Sequence, residues 1–341
     1  MIARRIRIVL SVVAIFATTQ AAFAQVFPDP RQRVEMRFER PETKSGASFA
    51  RVKDSQCRES VANVSGDATL RRRIVSLAAR EWEAFHFPTF DIASVGLPLV
   101  PQVQSRAGSA AIVPGAINPA LDRPLPRALR LGLAEDDGEV MERIGGYWAV
   151  TPGQDAVAVQ NVIWGRGGWP GTGWAIPWSA AFVSWVMCEA GLTRPQFARA
   201  AKHSAYLSAM FENAEASAFT PADLTTPVAA GDLVCTGRAE NRDIASLDEA
   251  RRAATQGALM HCDIVVGKLR DRVLLIGGNV INAVTLTIAL ADAKGRVKST
   301  ALRPWFGVMK LKVPEDKRAG LRDMDWACLG KADALACLEM K

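Results

Sequence analysis

Several common catalytic signatures are missing from this chain. It contains no His-Glu-x-x-His helix motif, no Gly-x-Ser-x-Gly elbow, no phosphate-binding P-loop and no Gly-x-Gly-x-x-Gly fingerprint. These absences exclude the usual zinc-protease, α/β-hydrolase, nucleotide-triphosphatase and dinucleotide-binding readings. No Cys-x-x-Cys pair occurs, so zinc knuckles and thioredoxin-like chemistry are unsupported. Only three histidines are present, too few for a His-rich metal site. There is no internal repeat and no low-complexity tract. What remains is a nucleophile–histidine arrangement or no catalysis at all.

Single-sign charge is also scarce. The net charge is +7, and Arg4, Arg5 and Arg7 supply three of those charges at the extreme N-terminus. Without them the surplus is small and scattered, which does not call for a nucleic-acid partner. Apolar residues make up 49% and charged residues 23%, the balance of a globular protein with a sizeable core.

The N-terminus reads as an export signal over residues 1–24. A short basic region precedes an apolar run from Ile8 to Ala17, and Ala22-Phe23-Ala24 supplies the small residues of a cleavage site. The apolar run is shorter than the roughly 20 residues of a spanning helix, so no permanent membrane anchor is expected. The expected location is periplasmic or secreted. Six cysteines follow: Cys57, Cys188, Cys235, Cys262, Cys328 and Cys337. In an oxidising compartment they permit up to three disulfides. Cys235 and Cys262 can pair if their strands are neighbours, and the nine-residue separation of Cys328 and Cys337 suits a local bridge.

The chain divides into five stretches. After the signal comes an extended polar arm (25–66), in which Cys57 offers a point of attachment. Residues 67–130 hold a helix, from Asp67 to Phe87, and a Pro-rich wrapping segment. In that helix Leu70, Ile74, Leu77, Ala78, Trp82 and Phe85 share one face, and His86 falls at its end as a packing histidine. Residues 131–312 form the main domain, and 313–341 a tail. Within the main domain, Glu135 to Ile144 reads as a short helix and Gly145 to Gly173 as a Gly- and Trp-rich loop. Val234, Ile264–Val266, Val273–Ile276 and the alternating stretch Val284–Leu290 read as strands. A helix-rich half followed by a strand-rich half predicts an α+β fold.

One constellation carries chemistry. The Gly/Trp loop ends at Pro177, and Trp178-Ser179-Ala180-Ala181-Phe182-Val183 opens an apolar helix. Ser179 falls in its first turn, where unpaired amides and the helix dipole favour a developing oxyanion. Gly231-Asp232-Leu233-Val234 opens a strand, His261-Cys262-Asp263-Ile264-Val265-Val266 another, and Gly277-Gly278-Asn279 closes the next.

The order and spacing of these four motifs resemble the papain-like amidases and peptidases of the cell wall, the CHAP and NlpC-type domains. The closer resemblance is to a bacterial group called domain of unknown function 2272, over roughly residues 130 to 312. This resemblance implies a papain-like core, with N-terminal helices packed on an antiparallel sheet. It places the nucleophile at Ser179, the general base at His261 and the residue orienting the imidazole at Asn279. Two departures stand out: the usual Cys is Ser179, and the Glu two residues before Asn279 is Gly277. A serine hydroxyl must lose its proton to His261 during attack, and an asparagine cannot stabilise an imidazolium as a carboxylate does. Asp263 shares a strand face with His261, where it can assist the imidazole, but ordinary strand polarity is the simpler expectation.

Trp174, Trp178 and His203 are candidate substrate-binding residues. The competing roles are rings that plug the core and a histidine packed beside Tyr206. The expected activity is hydrolysis of an amide or peptide bond, in peptidoglycan or another peptide, without metal or cofactor. The alternative is a catalytically inactive cell-wall or partner-binding module, with Ser179 serving only as a helix N-cap. A secreted antibacterial toxin is a third reading. Oligomeric state is not legible.

Overall fold

The computed structural model describes residues 57–93, 117–118, 123–124, 129–165, 173–269 and 271–321. The expected export signal, most of the arm, most of the Pro-rich segment, and Cys328 and Cys337 lie outside these. The chain divides into two compact units. The smaller comprises residues 1–47 and 116–125; its described part is an antiparallel ladder of β2 (Ile117–Asn118) with β3 (Arg123–Pro124).

The larger unit is α+β. Its helices are α1 (Leu70–Ala84), α2 (Met141–Ala149), α3 (Asp155–Gly165), α4 (Ser179–Glu189), α5 (His203–Glu212) and α6 (Leu247–Thr255). Its strands are β1 (Thr89–Asp91), β4 (Leu129–Arg130), β5 (Phe219–Ala222), β6 (Leu233–Gly237), β7 (Met260–Lys268), β8 (Arg272–Val280), β9 (Ala283–Leu290) and β10 (Trp305–Leu311). They form one sheet in the order β4-β1-β9-β8-β7-β6-β10-β5. The expected antiparallel sheet is corrected to a mixed one, because β1 runs parallel to β9.

The predicted strands are all present, each longer than its apolar run. The Gly/Trp loop is a correction. Helices α2 and α3 occupy much of 145–165, where Tyr147, Trp148, Val157 and Trp164 are buried. Apolar burial of that kind outweighs the roughly 1 kcal/mol that each helical glycine costs. The predicted helix at Glu135–Ile144 starts later, at Met141, leaving Glu135 in a loop.

Period-two alternation gives the central strands two buried faces. Leu233, Cys235, Cys262, Ile264, Leu274 and Ile276 belong to the main core with the helices. Val234, Val265, Val273, Leu275, Trp305 and Val308 form a second core on the opposite face. Helix α1 presents the predicted apolar face, and all six of its predicted residues are buried. Arg71 of α1 is buried as well. Its guanidinium donates to Asp232 Oδ1 (2.9 Å) and to the carbonyls of Ala230, Leu311 and Val313. Thr69 holds the N-cap of α1, and Asp67, two residues earlier, accepts from the Thr69 amide and from Arg73. The Arg73 guanidinium, followed by the Thr69 bonds, holds its carboxyl at about 2 despite the opposing effect of partial burial.

Two disulfides are formed among the described residues. Cys235 and Cys262 face each other in the β6–β7 register, with Cα atoms 4.1 Å apart, as the strand-neighbour expectation required. Cys57 is bonded to Cys188 of α4, with a Cα separation of 5.2 Å. This closes a 131-residue span and fastens the end of the arm. In the chain-entropy account, such a span contributes about 5 kcal/mol and the 27-residue one about 3.5 kcal/mol. Two disulfides are compatible with an extracellular protein. Among the described residues, no helix is long and apolar enough to cross a membrane.

Candidate active site

The site lies where the sheet comes apart. Strand β7 pairs with β6 as far as Met260 opposite Gly237. Its pairing with β8 begins only at Ile264 opposite Ile276, while β8 stays with β9 beyond that point. The first residues of β7 therefore have a free edge toward β8. His203, the first residue of α5, fills that opening, and its Nδ1 accepts the amide N–H of Cys262 (3.2 Å). A strand amide that would otherwise be orphaned is thereby satisfied by a side chain.

This contact fixes a tautomer. A backbone amide can only donate, so Nδ1 of His203 carries the lone pair. The Tyr206 hydroxyl is bonded to the same nitrogen and serves as a second donor. The ring hydrogen then resides on Nε2, which lies 2.7 Å from Ser179 Oγ and donates to it. Burial pushes His203 well below the ordinary histidine range, and His261 and Arg238 act in the same direction. His203 is thus a neutral hydrogen-bond donor to Ser179.

Ser179 opens α4. Trp178 holds the N-cap position, which removes the N-cap role suggested for the serine. The amides of Ser179, Ala180 and Ala181 head the helix, where no helical carbonyl lies four residues back.

His261 makes a different pairing from the one expected. Its Nε2 donates to Asp263 Oδ1 at 2.7 Å. Among the described residues, its buried Nδ1 has no hydrogen-bond partner, and neither has Asp263 Oδ2. The neutral ring therefore carries its hydrogen on Nε2 and a vacant lone pair on Nδ1. The two imidazole centroids are 5.0 Å apart. Burial lowers the His261 pKa, an effect that Asp263 offsets only in part. Burial also raises Asp263, but His261, Arg303 and Arg238 outweigh it, so its carboxyl falls below the ordinary range.

Gly277 explains why the carboxylate comes from Asp263. A Cβ at Gly277 would stand 1.8 Å from Asp263 Oδ1 and 3.1 Å from His261 Nε2. Where the resemblance leads one to expect a glutamate, the chain has no side chain, and Asp263 fills the space from the neighbouring strand. Replacing Gly277 by alanine is expected to cost about 1–3 kcal/mol through overpacking and to disturb the His261–Asp263 bond. Thermal unfolding checks the first effect, and the histidine NMR resonances check the second. An unchanged spectrum with unchanged stability rejects this packing.

Asn279, expected to orient the imidazole, does something else. Its backbone is left-handed (φ 54°), and its amide donates to Glu135 Oε2 at 2.8 Å. Glu135 also accepts from Trp178 Nε1 (2.7 Å) and from the Trp174 amide (2.9 Å), while Trp174 Nε1 donates to the Glu135 carbonyl (3.1 Å). Trp174 and Trp178 are buried around this carboxylate and do not line a groove. His203 lies inside the site, not on its rim.

Ser179, His203, His261 and Asp263 are exposed by only 3%, 4%, 1% and 0%. Ser179 Oγ takes its hydrogen bond from His203, not from His261. Arg238 and Arg303, both only partly buried, are the remaining charged groups that act on the pair. Among the described residues, no cluster of three or more His, Cys, Asp or Glu side chains could hold a metal ion.

Sequence reasoning put Asp263 beside His261 but ranked a partnership behind ordinary strand polarity. The signal was present: His-x-Asp on one strand puts both side chains on one face, and Gly277 leaves room beside them. The His203–Ser179 bond had no local signal, because 24 residues and a helix boundary separate the two.

Comparison with known proteins adds one finding. No curated protein and no solved structure matches the chain. The profile of a family described as "uncharacterized protein conserved in bacteria (DUF2272)" matches residues 135–330, beginning at the glutamate that gathers Trp174, Trp178 and Asn279. That match spans more than half of the sequence, and the chain belongs to this DUF2272 family.

Proposed function

We propose that the protein is an exported, papain-like hydrolase of amide or peptide bonds, acting on peptidoglycan peptides, with Ser179 as nucleophile. The observation that carries this reading is the state of His261. Its Nε2–H is held by Asp263, its buried Nδ1 has no hydrogen-bond partner among the described residues, and its ring lies 5.0 Å from that of His203, which is bonded to Ser179. Ser179 Oγ attacks the carbonyl carbon, and its proton passes to His261 Nδ1. Amides at the head of α4 hold the oxyanion, and the His203 Nε2–H steadies the charge developing on Oγ. The C–N bond then breaks, His261 returns the proton to the leaving amine, and water releases the acyl group from Ser179 by the reverse sequence. Asp263 stabilises the imidazolium in both halves. Four motifs in family order support the papain-like placement. The N-terminal basic–apolar–small pattern and the two disulfides support export.

A second reading is favoured by one observation. All four site residues are almost wholly enclosed, as in a binding module that has kept the fold without turnover. One experiment separates the two. Purified protein is incubated with peptidoglycan, and release of new amines or soluble fragments is measured. Release is expected from the native protein and is expected to fall at least about a thousandfold in Ser179→Ala. Release that survives Ser179→Ala removes the serine from the mechanism. Release seen only in Ser179→Cys identifies a disabled hydrolase and favours the binding module.

A further inference from the structure

The arginines beside the Asp263–His261 pair have a second use. Val234, Thr236 and Arg238 alternate along β6 and its extended continuation (Arg238 φ −128°, ψ 157°), so they face the same side. Thr236 stands opposite His261 on β7 and opposite Trp305 on β10. Its hydroxyl donates to the carbonyl of Pro304 (2.8 Å), next to Arg303. Arg238 and Arg303 thus approach one end of the sheet from two strands, both within electrostatic reach of Asp263.

Their pairing is incomplete. Among the described residues, neither guanidinium has a hydrogen-bond or ion-pair partner, whereas the neighbouring Arg242 donates to the Ala301 carbonyl. Two fixed positive charges face one carboxylate, whose bonded oxygen is already taken by His261. The N-termini of α4 and α5 add positive potential at Ser179 and His203. The site therefore holds uncompensated positive charge. Among the described residues, its arginines are also the only charged groups acting on the pair that reach solvent, so a ligand arriving there meets them first.

We infer that Arg238 and Arg303 form a carboxylate-recognition site, selecting substrates with a free carboxylate next to the amide to be cut. A guanidinium offers a planar fork of donors that matches a carboxylate, and two of them define its position. The inference rests on the hydrolase reading for the reaction, but its binding step can be tested separately.

The test uses the Ser179→Ala protein, which binds without turnover. N-acetyl-alanyl-alanine and its C-terminal amide are titrated by calorimetry at fixed ionic strength. The acid is expected to bind at least about tenfold more tightly, or about 1.4 kcal/mol. That preference is expected to vanish in Arg238→Gln and in Arg303→Gln, with Arg303→Lys retaining part of it. Circular dichroism and thermal unfolding confirm that each variant is folded. If acid and amide bind alike, if neither binds, or if the preference survives both glutamine variants, the site is overturned. Those outcomes leave the role of Ser179 to the peptidoglycan assay. Conversely, a serine that proves inert does not affect the acid–amide preference.

Discussion

Asp263→Asn is expected to lower hydrolysis about 10³–10⁴-fold while leaving the protein folded. The cause is the proton inventory of His261. The carboxylate accepts from Nε2 and leaves Nδ1 free to act as base. An asparagine can present its own N–H to Nε2, which moves the ring hydrogen to Nδ1 and blocks proton uptake. It also removes the negative charge that stabilises the imidazolium. The measurement is kcat/KM with pH, alongside thermal unfolding. Activity within tenfold of native would sink the Asp263–His261 base.

The pH dependence has a defined sign. His203 and His261 both have lowered pKa values. As pH falls below the ordinary histidine value of 6.5, the unfolded chain takes up protons that the folded protein refuses. Stability therefore falls with pH in that window. Asp263 is also lowered, so its contribution persists below 3.8 and is lost as pH falls through its own folded value. Activity is expected to drop on the acid side once Nδ1 of His261 is occupied.

The largest expected loss of stability comes from Asp232→Ala, at about 3–5 kcal/mol. Arg71 is 2% exposed, and Asp232 is its carboxylate partner. Asp232 also accepts the amides of Ala229 and Leu311 and pairs with Lys310. It ties helix α1 to the start of β6 and the end of β10. Removing it leaves a buried guanidinium without its carboxylate and two buried amides without acceptors. A fall in Tm of roughly 6–20 °C is expected from such a loss. The check is thermal unfolding without reductant, so that both disulfides stay intact. A shift below about 2 °C would show that the Arg71 carbonyl contacts alone hold the junction.

Much of this architecture is legible in the sequence because it follows from periodicity. The face of α1 and the four central strands are apolar patterns that bury themselves. The Cys235–Cys262 bond follows once β6 and β7 pair. Helices α2 and α3 were hidden by glycines whose local cost is outweighed by the burial of Tyr147, Trp148 and Trp164. The site was half legible. Ser179 and His261 announced themselves through the motifs around them. The pairing of Asp232 was not legible, because its partner Arg71 is 161 positions away. Asn279 inherited the orienting role from the resemblance. Its left-handed backbone and the distant Glu135 redirect it, and neither can be read from the Gly-Gly-Asn string.

The parting of β7 from β8 also bears on how a visitor reaches Ser179. Past Ile264 and Ile276 the ladder between these strands has already been given up, and the His203 ring takes up the Cys262 amide on the β7 side of the gap. The β6–β7 pair carries its own crosslink at Cys235–Cys262, and β8 and β9 stay paired on the other side of the gap. The gap between the two strand pairs, where no ladder bonds have to break, is therefore the part of the sheet that costs least to open around the enclosed groups.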